Sequence, residues 1–299
     1  MKRIFSLCSF IFSFLILNAQ DVQLIMPYSS PLYFNPAFAG NTGCARVTGA
    51  YRNQWPNISG QNISSSISID QYVKQVSGGF GITYFYNNVG FGMSKQKKIS
   101  GVYSYQVSDS HKKWTACASQ QFTYARNDYD YTVYVWNSPP VPAKGTISYV
   151  DLSSAMLFYS EIFYGGFIVE HLTEPETDLS GNTVLPMKYT AHAGANIKAG
   201  NVLVSPSIIY LEQHDYKSFF TNCAVQYKTI GASVGYRSGD NLVAALRFRT
   251  NNFSMGYAYD FSISRLGIVI AGSHELSLSI FFYRKKIPAE FLPFETAAF

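Results

Sequence analysis

Gln61-Asn62-Ile63-Ser64-Ser65-Ser66-Ile67-Ser68-Ile69-Asp70-Gln71 is the stretch whose reading decides the fold. Ile63, Ile67 and Ile69 fall on one face of an extended chain, while Asn62, Ser64, Ser66, Ser68 and Asp70 fall on the other. A period of two belongs to a β-strand, whose successive side chains point to opposite faces. Residues 252–263 repeat it, with Phe253, Met255, Tyr257, Tyr259 and Phe261 set against Ser254, Gly256, Ala258 and Asp260.

Working outward from these two stretches, segments of about ten alternating residues recur from Ala45 onward with turn residues between them. This is the pattern of strands that cross an outer membrane, one face toward lipid and the other toward an enclosed lumen. The spacing predicts an all-β, antiparallel, up-and-down transmembrane barrel of fourteen strands. They are expected at 45–55, 61–71, 77–87, 95–108, 113–126, 149–159, 161–171, 188–199, 201–213, 217–228, 230–238, 241–250, 252–263 and 273–284. The connections after even strands are tight, at 71–76, 109–112, 160–161, 200–201, 229 and 251–252, and are assigned to the periplasm. The two longest, 127–148 and 173–187, follow odd strands, carry Pro139, Pro140, Pro142, Pro175 and Pro186, and are assigned to the cell exterior.

Composition agrees with a surface that faces something other than water. Only 14% of residues are charged, against about 25% in ordinary soluble domains, while 23 Tyr and 23 Phe bring aromatics to 16%. Pairs such as Tyr84 and Tyr86, Tyr103 and Tyr105, and the Phe281–Tyr283 run sit toward strand ends, where amphipathic rings form interfacial girdles.

The first residues read as an export leader over 1–19: Lys2 and Arg3, the apolar stretch Ile4–Leu17, then Asn18-Ala19-Gln20. That stretch is shorter than the roughly 20 residues a spanning helix needs, and no later apolar run is longer, which excludes a helical membrane protein. Residues 20–44 lack alternation and contain Pro27, Pro31, Pro36 and Gly40, so an irregular N-terminal segment precedes the barrel at 45–284; a short tail follows at 285–299. Without Lys2 and Arg3 the formal charge falls from +5 to +3, too weak to argue for nucleic acid. Outside the leader Cys44, Cys117 and Cys223 remain, an odd number without metal-ligand spacing.

Chemistry-bearing motifs are few. Gly231-Ala232-Ser233-Val234-Gly235 has hydrolase nucleophile spacing, but that elbow needs a strand followed at once by a helix, and Tyr236-Arg237 continues a strand. His111, His171, His192, His214 and His274 have no paired metal spacing. No catalytic residue, metal or cofactor is expected. Glu170, Glu174, Glu176 and Asp178, and likewise Lys95, Lys97, Lys98, Lys112 and Lys113, read as solvated clusters. His274-Glu275 opens the last strand as a polar pair able to face the lumen or the rim.

Several blocks carry a family resemblance: Tyr33-Phe34-Asn35-Pro36-Ala37-Phe38-Ala39-Gly40, then Tyr51-Arg52-Asn53-Gln54-Trp55, then Gly79-Phe80-Gly81-Ile82 leading to Asn87-Asn88-Val89-Gly90. Later come Gly235-Tyr236-Arg237, Gly256-Tyr257-Ala258-Tyr259-Asp260 and Gly272-Ser273-His274-Glu275-Leu276. The chain resembles the PorP/SprF family of outer-membrane proteins from Bacteroidota, departing from it at Asn88, where an acidic residue is expected. The resemblance implies a non-enzymatic barrel of the type IX secretion system, partnered by outer-membrane lipid and other secretion components. Its role would be export or surface retention of cargo such as gliding adhesins, through the cargo's C-terminal signal domain. A passive porin or apolar-solute channel is the alternative. Asn35, Pro36, Gly40, Arg52, Gln54, Trp55, His274 and Glu275 are expected to be structural or docking residues, with Arg52 on the lumen face and Trp55 near the exterior rim.

Overall fold

The computed structural model describes residues 21–109, 113–133, 141–179, 183–239, 241–263 and 272–282. The expected leader at 1–19, the tail at 285–299 and His111 lie outside the described residues. The strands are β1 (Ala45–Gln54), β2 (Asn62–Val73), β3 (Gly78–Val89), β4 (Ser94–Ser108), β5 (Trp114–Val133), β6 (Val141–Ser160) and β7 (Phe163–Glu170). After them come β8 (Lys188–Ala195, resuming past Asn196 as Ile197–Ala199), β9 (Val202–Gln213), β10 (Tyr216–Tyr227), β11 (Ile230–Arg237), β12 (Asn241–Arg249), β13 (Phe253–Ser262) and β14 (Ser273–Phe282). Each pairs antiparallel with its sequence neighbours, and β14 returns to β1 from Ala45↔Phe282 to Gln54↔Ser273. The result is a closed barrel of fourteen strands.

Its faces are inverted relative to a soluble protein. The buried, inward positions of β2 are Ser64, Ser66, Ser68 and Asp70, whereas Ile67 and Ile69 are more than half exposed. Val234 and Leu246 are 67% and 61% exposed, and the same pattern runs around the circumference through Ile82, Ile99, Leu152, Met156, Val225 and Leu278. A band this apolar is stable only against hydrocarbon. Outward rings flank it at both ends: Tyr84, Tyr124, Tyr189 and Tyr236 toward one rim, Tyr105, Trp114, Phe163 and Tyr227 toward the other.

One expectation is overturned. Residues 127–148 are not mainly a loop: β5 and β6 continue to Val133 and from Val141, still paired as Asn127↔Ile147 and Asp130↔Lys144. The prolines point to a break, but the alternation persists with different chemistry. Below Tyr124 and Val150 the outward positions hold Phe122, Leu152 and Phe158; above them they hold Arg126, Asp128, Asp130, Lys144 and Thr146. Lys144 Nζ lies 2.9 Å from Asp130, and Asp128 is met by Lys97, Arg126 and Thr146 at 3.1, 2.9 and 2.8 Å. The change from apolar to ionic marks where the hairpin leaves the bilayer and continues into water. This hairpin and the longest described connection, between β7 and β8, stand at one end. Tight links such as Gly200-Asn201 and Lys228-Thr229 stand at the other. The tall end is assigned to the exterior.

Replacing Val234 by Arg sets a charge against the middle of the hydrocarbon band. Folding into lipid vesicles, followed by denaturant titration, is expected to show a loss of about 2–4 kcal/mol.

Candidate functional site

Residues 21–44 fill the lumen. Pro27, Pro31 and Pro36 each open a short helical turn, Pro27–Ser29, Pro31–Phe34 and Pro36–Phe38, at the position where a missing N–H costs nothing. These turns, with the residues just before them, present Ile25, Met26, Leu32, Ala37 and Phe38, all no more than 2% exposed, and Ile25, Met26, Ala37 and Phe38 join a core with Leu157, Ile168, Ile209, Phe220, Val243 and Ala258 of the wall. Each large apolar side chain so buried contributes about 1.5–3 kcal/mol.

Polar ties hold this plug at three levels. At the periplasmic end Asp70 of β2 pairs with Arg46 of β1, Nε to Oδ1 at 2.9 Å and the terminal nitrogen to Oδ2 at 3.1 Å. The same carboxylate accepts from the Gly40 N–H at 2.8 Å, and Arg46 donates to the Phe38 carbonyl at 3.3 Å. Here Gly40 adopts a left-handed φ of +73° and passes the wall so closely that an added Cβ would stand 2.7 Å from Gly79 Cα; a Cβ on Gly79 would meet the Ala39 carbonyl at 2.1 Å. Neither position admits a side chain, which gives the glycines around Phe80 a physical reason.

In the middle, Asn35 caps its turn by accepting from the Ala37 N–H at 2.9 Å and donates to the Met156 carbonyl at 3.3 Å. His192 lies beside it, Nε2 at 3.1 Å from the Asn35 amide and Nδ1 at 3.4 Å from the Tyr28 hydroxyl.

Toward the exterior, Glu275 of β14 accepts from the Ile25 and Met26 N–H groups at 2.5 and 2.9 Å. Arg52 donates to the Gln23 carbonyl and Arg237 to the Leu24 carbonyl, the latter at 3.0 Å. Asp21 enters a cationic socket made by Lys98, His171 and Lys188 at 3.2, 2.6 and 3.3 Å. Glu170 balances Lys188 at 2.6 Å, and Asp151 balances His171 at 2.7 Å. Burial lowers the proton affinity of His171, in the β7–β8 connection, but the Asp21 and Asp151 carboxylates outweigh it and push its pKa up to about 9.

The candidate residues from sequence fall unequally on this arrangement. Asn35, Pro36 and Gly40 belong to the plug, and Arg52 and Glu275 are Cα partners across the closing seam that both grip it. Gln54 and Trp55 stand at the exterior mouth, Trp55 at 40% exposure. His274 parts from Glu275, because neighbours on a strand point oppositely: its Nδ1 lies 2.8 Å from the Tyr257 hydroxyl on the outer face. Lys98 and Glu170 are likewise not solvated cluster members but face inward. Ser233 sits inside β11 opposite Ala224 and Ala245, away from any strand-to-helix turn. Sequence reasoning gave no inward role to Asp21, Arg46, Lys188 or His192, and quoted Arg237 and Asp260 only within family blocks, with Asp260 on the polar face of its strand. Strand parity was the available signal, since a charge on the serine-bearing face of a barrel strand needs a partner inside.

The family model described as type IX secretion system membrane protein PorP/SprF matches residues 16–280. No curated protein matches the chain. Among solved structures, the toluene transporter TodX of P. putida is similar at 10% identity, covering 84% of this chain and 93% of its own, with a TM-score of 0.51. The outer membrane protein Omp33 of Acinetobacter baumannii is 8% identical over 80% of this chain and 98% of its own, with a TM-score of 0.47. At these identities the likeness to TodX concerns the barrel fold alone.

Two outcomes are expected. Asp70→Ala strands Arg46 in a dry site and lowers stability to urea by about 3–5 kcal/mol. The raised pKa means that charged His171 supports the plug fully below its ordinary value of 6.5, and that this support is lost as pH rises through about 9. Bilayer recordings should therefore show openings becoming more frequent across that range in the native barrel and not in His171→Gln.

Proposed function

The chain belongs to the PorP/SprF family of type IX secretion system membrane proteins, an outer-membrane component of that machine, and we propose that its exterior end holds the C-terminal signal domain of an exported surface protein. The observation that carries this reading is the filled lumen. A barrel whose axis is packed by its own residues 21–44 is poorly suited to conduct a polypeptide or a solute, while its exterior end is elaborated well beyond what closure of a barrel requires. The β5–β6 hairpin rises above the lipid band, and the β7–β8 connection folds against it, with Tyr129 donating to the Thr177 carbonyl. Together they offer a polar, ion-paired surface to a large soluble partner, such as a gliding adhesin, delivered by the other secretion components.

The role is holding and not catalysis: Ser233, the one residue with nucleophile spacing, is buried inside a strand. The passive-channel alternative has the same packed plug against it.

Shortening the hairpin by replacing residues 130–144 with a two-residue turn between Tyr129 and Gly145 removes most of the part that stands in water and leaves the membrane band intact. Cells carrying this variant are expected to release the exported protein into the medium, and the cargo should no longer co-purify with the barrel. Full surface retention, with cargo still bound to the shortened barrel, would overturn the reading.

A further inference from the structure

The exterior mouth encloses a cup of about 430 Å3 whose floor is Asp21, Val22 and Gln23 of the plug. We propose that this cup is a receptor for the terminal carboxylate of a polypeptide, bound by Arg52 and Arg237.

Both arginines line the cup, yet they are only 4% and 6% exposed, so each charge is held in a site with little water of its own. They are tied to successive carbonyls of the plug, at Gln23 and Leu24, which brings the two guanidinium groups to adjacent places. A guanidinium carries five N–H donors. Here each has one hydrogen bond to a neutral carbonyl, and Nε of both has no partner among the described residues. Glu275 is taken by two plug amides. Asp260, which also lines the cup, forms an ion pair with Arg237 at 3.6 Å, beyond hydrogen-bond distance, and the Phe220 ring lies 5.2 Å from the same guanidinium, so neither arginine gains a second hydrogen bond from them.

A buried floor with donors in excess calls for an acceptor-rich ligand. A carboxylate engages such donors in bidentate bonds in which both partners are charged, with a fork geometry that a single neutral carbonyl does not match. The walls above add amides from Gln54, Asn62 and Asn241, with the Trp55 ring at the rim. That lining suits the last residues of an extended chain: amides for its backbone, a ring for one side chain. The volume falls within the roughly 300–1,000 Å3 of ligand pockets. A lipid or free phosphate shares the anionic chemistry but not the need for backbone partners. The inference rests on the function proposed above only for where such a chain end comes from.

The test is calorimetric titration of the detergent-purified barrel with a flexible Gly-Ser decapeptide bearing a free C-terminal carboxylate. The same peptide with an amidated terminus, acetate and inorganic phosphate form the other arms. The acid is expected to bind at least about tenfold more tightly than the amide. Arg52→Gln and Arg237→Gln should each lose that preference, and Asn241→Trp should abolish binding by filling the cup while leaving both guanidinium groups in place. Equal binding of acid and amide, or binding of neither, overturns the proposal. Acetate or phosphate binding as tightly as the peptide overturns the polypeptide end as the ligand. The acid–amide comparison uses the native barrel and holds even where an arginine variant does not fold. Failure here leaves cargo retention by the hairpin untouched, so the two readings fail separately.

Discussion

Inside a bilayer a backbone N–H or C=O has no water to turn to, and each one left unpaired costs several kcal/mol. The ladder from Ala45↔Phe282 to Gln54↔Ser273, which joins the first strand to the last, is therefore the constraint on which the rest depends. Without it two edges would lie in hydrocarbon. With it, every strand is paired on both sides, and side chains are free to divide by parity into a lipid face and a lumen face. Low charge content, serine-rich inward faces and aromatic rims all follow from that division.

Closure creates a second problem. Fourteen strands enclose a space too wide for wall side chains to fill, and the chain fills it with its own residues 21–44. The fit is made partly by what the wall lacks, at Gly79, Gly81 and Gly166, where a Cβ would strike the Ala39 carbonyl, Leu32 and the Asn35 amide of the plug. It is made partly by charges, on the plug at Asp21 and between neighbouring strands of the wall. Arg46 with Asp70, and Arg52 beside Glu275, combine a wall–wall relation with a hold on plug backbone, so plug and seam share groups.

The lipid-facing half of this design is legible in the sequence because it is local: Ile67 and Ile69 declare their face within a few residues of each other. The lumen half is not, because its partners are far apart in the chain. Ile25 meets Glu275 and Asp21 meets His171 across separations of 250 and 150 residues, and no periodicity records such pairs. The plug announces itself only negatively, as a stretch with prolines and no alternation. That signal shows that residues 21–44 are not a strand, and not that they lie inside. The β5–β6 extension was obscured for a related reason. Above the bilayer the alternation runs through Arg126, Asp128 and Lys144 instead of apolar side chains, and prolines nearby gave the stronger hint. His274 and Glu275 illustrate the converse, adjacent polar residues whose strand sends them to opposite worlds.

The position of the seam has a consequence for how the protein is made. Residues 21–44 lie within a ring completed by β14, and the two strands that complete it contribute Arg52 and Glu275 to the grip on those residues. A ring already shut would have to be threaded; a curled, still-open sheet need only be laid around its contents. The hold on residues 21–44 is therefore complete only where the final strand meets the first.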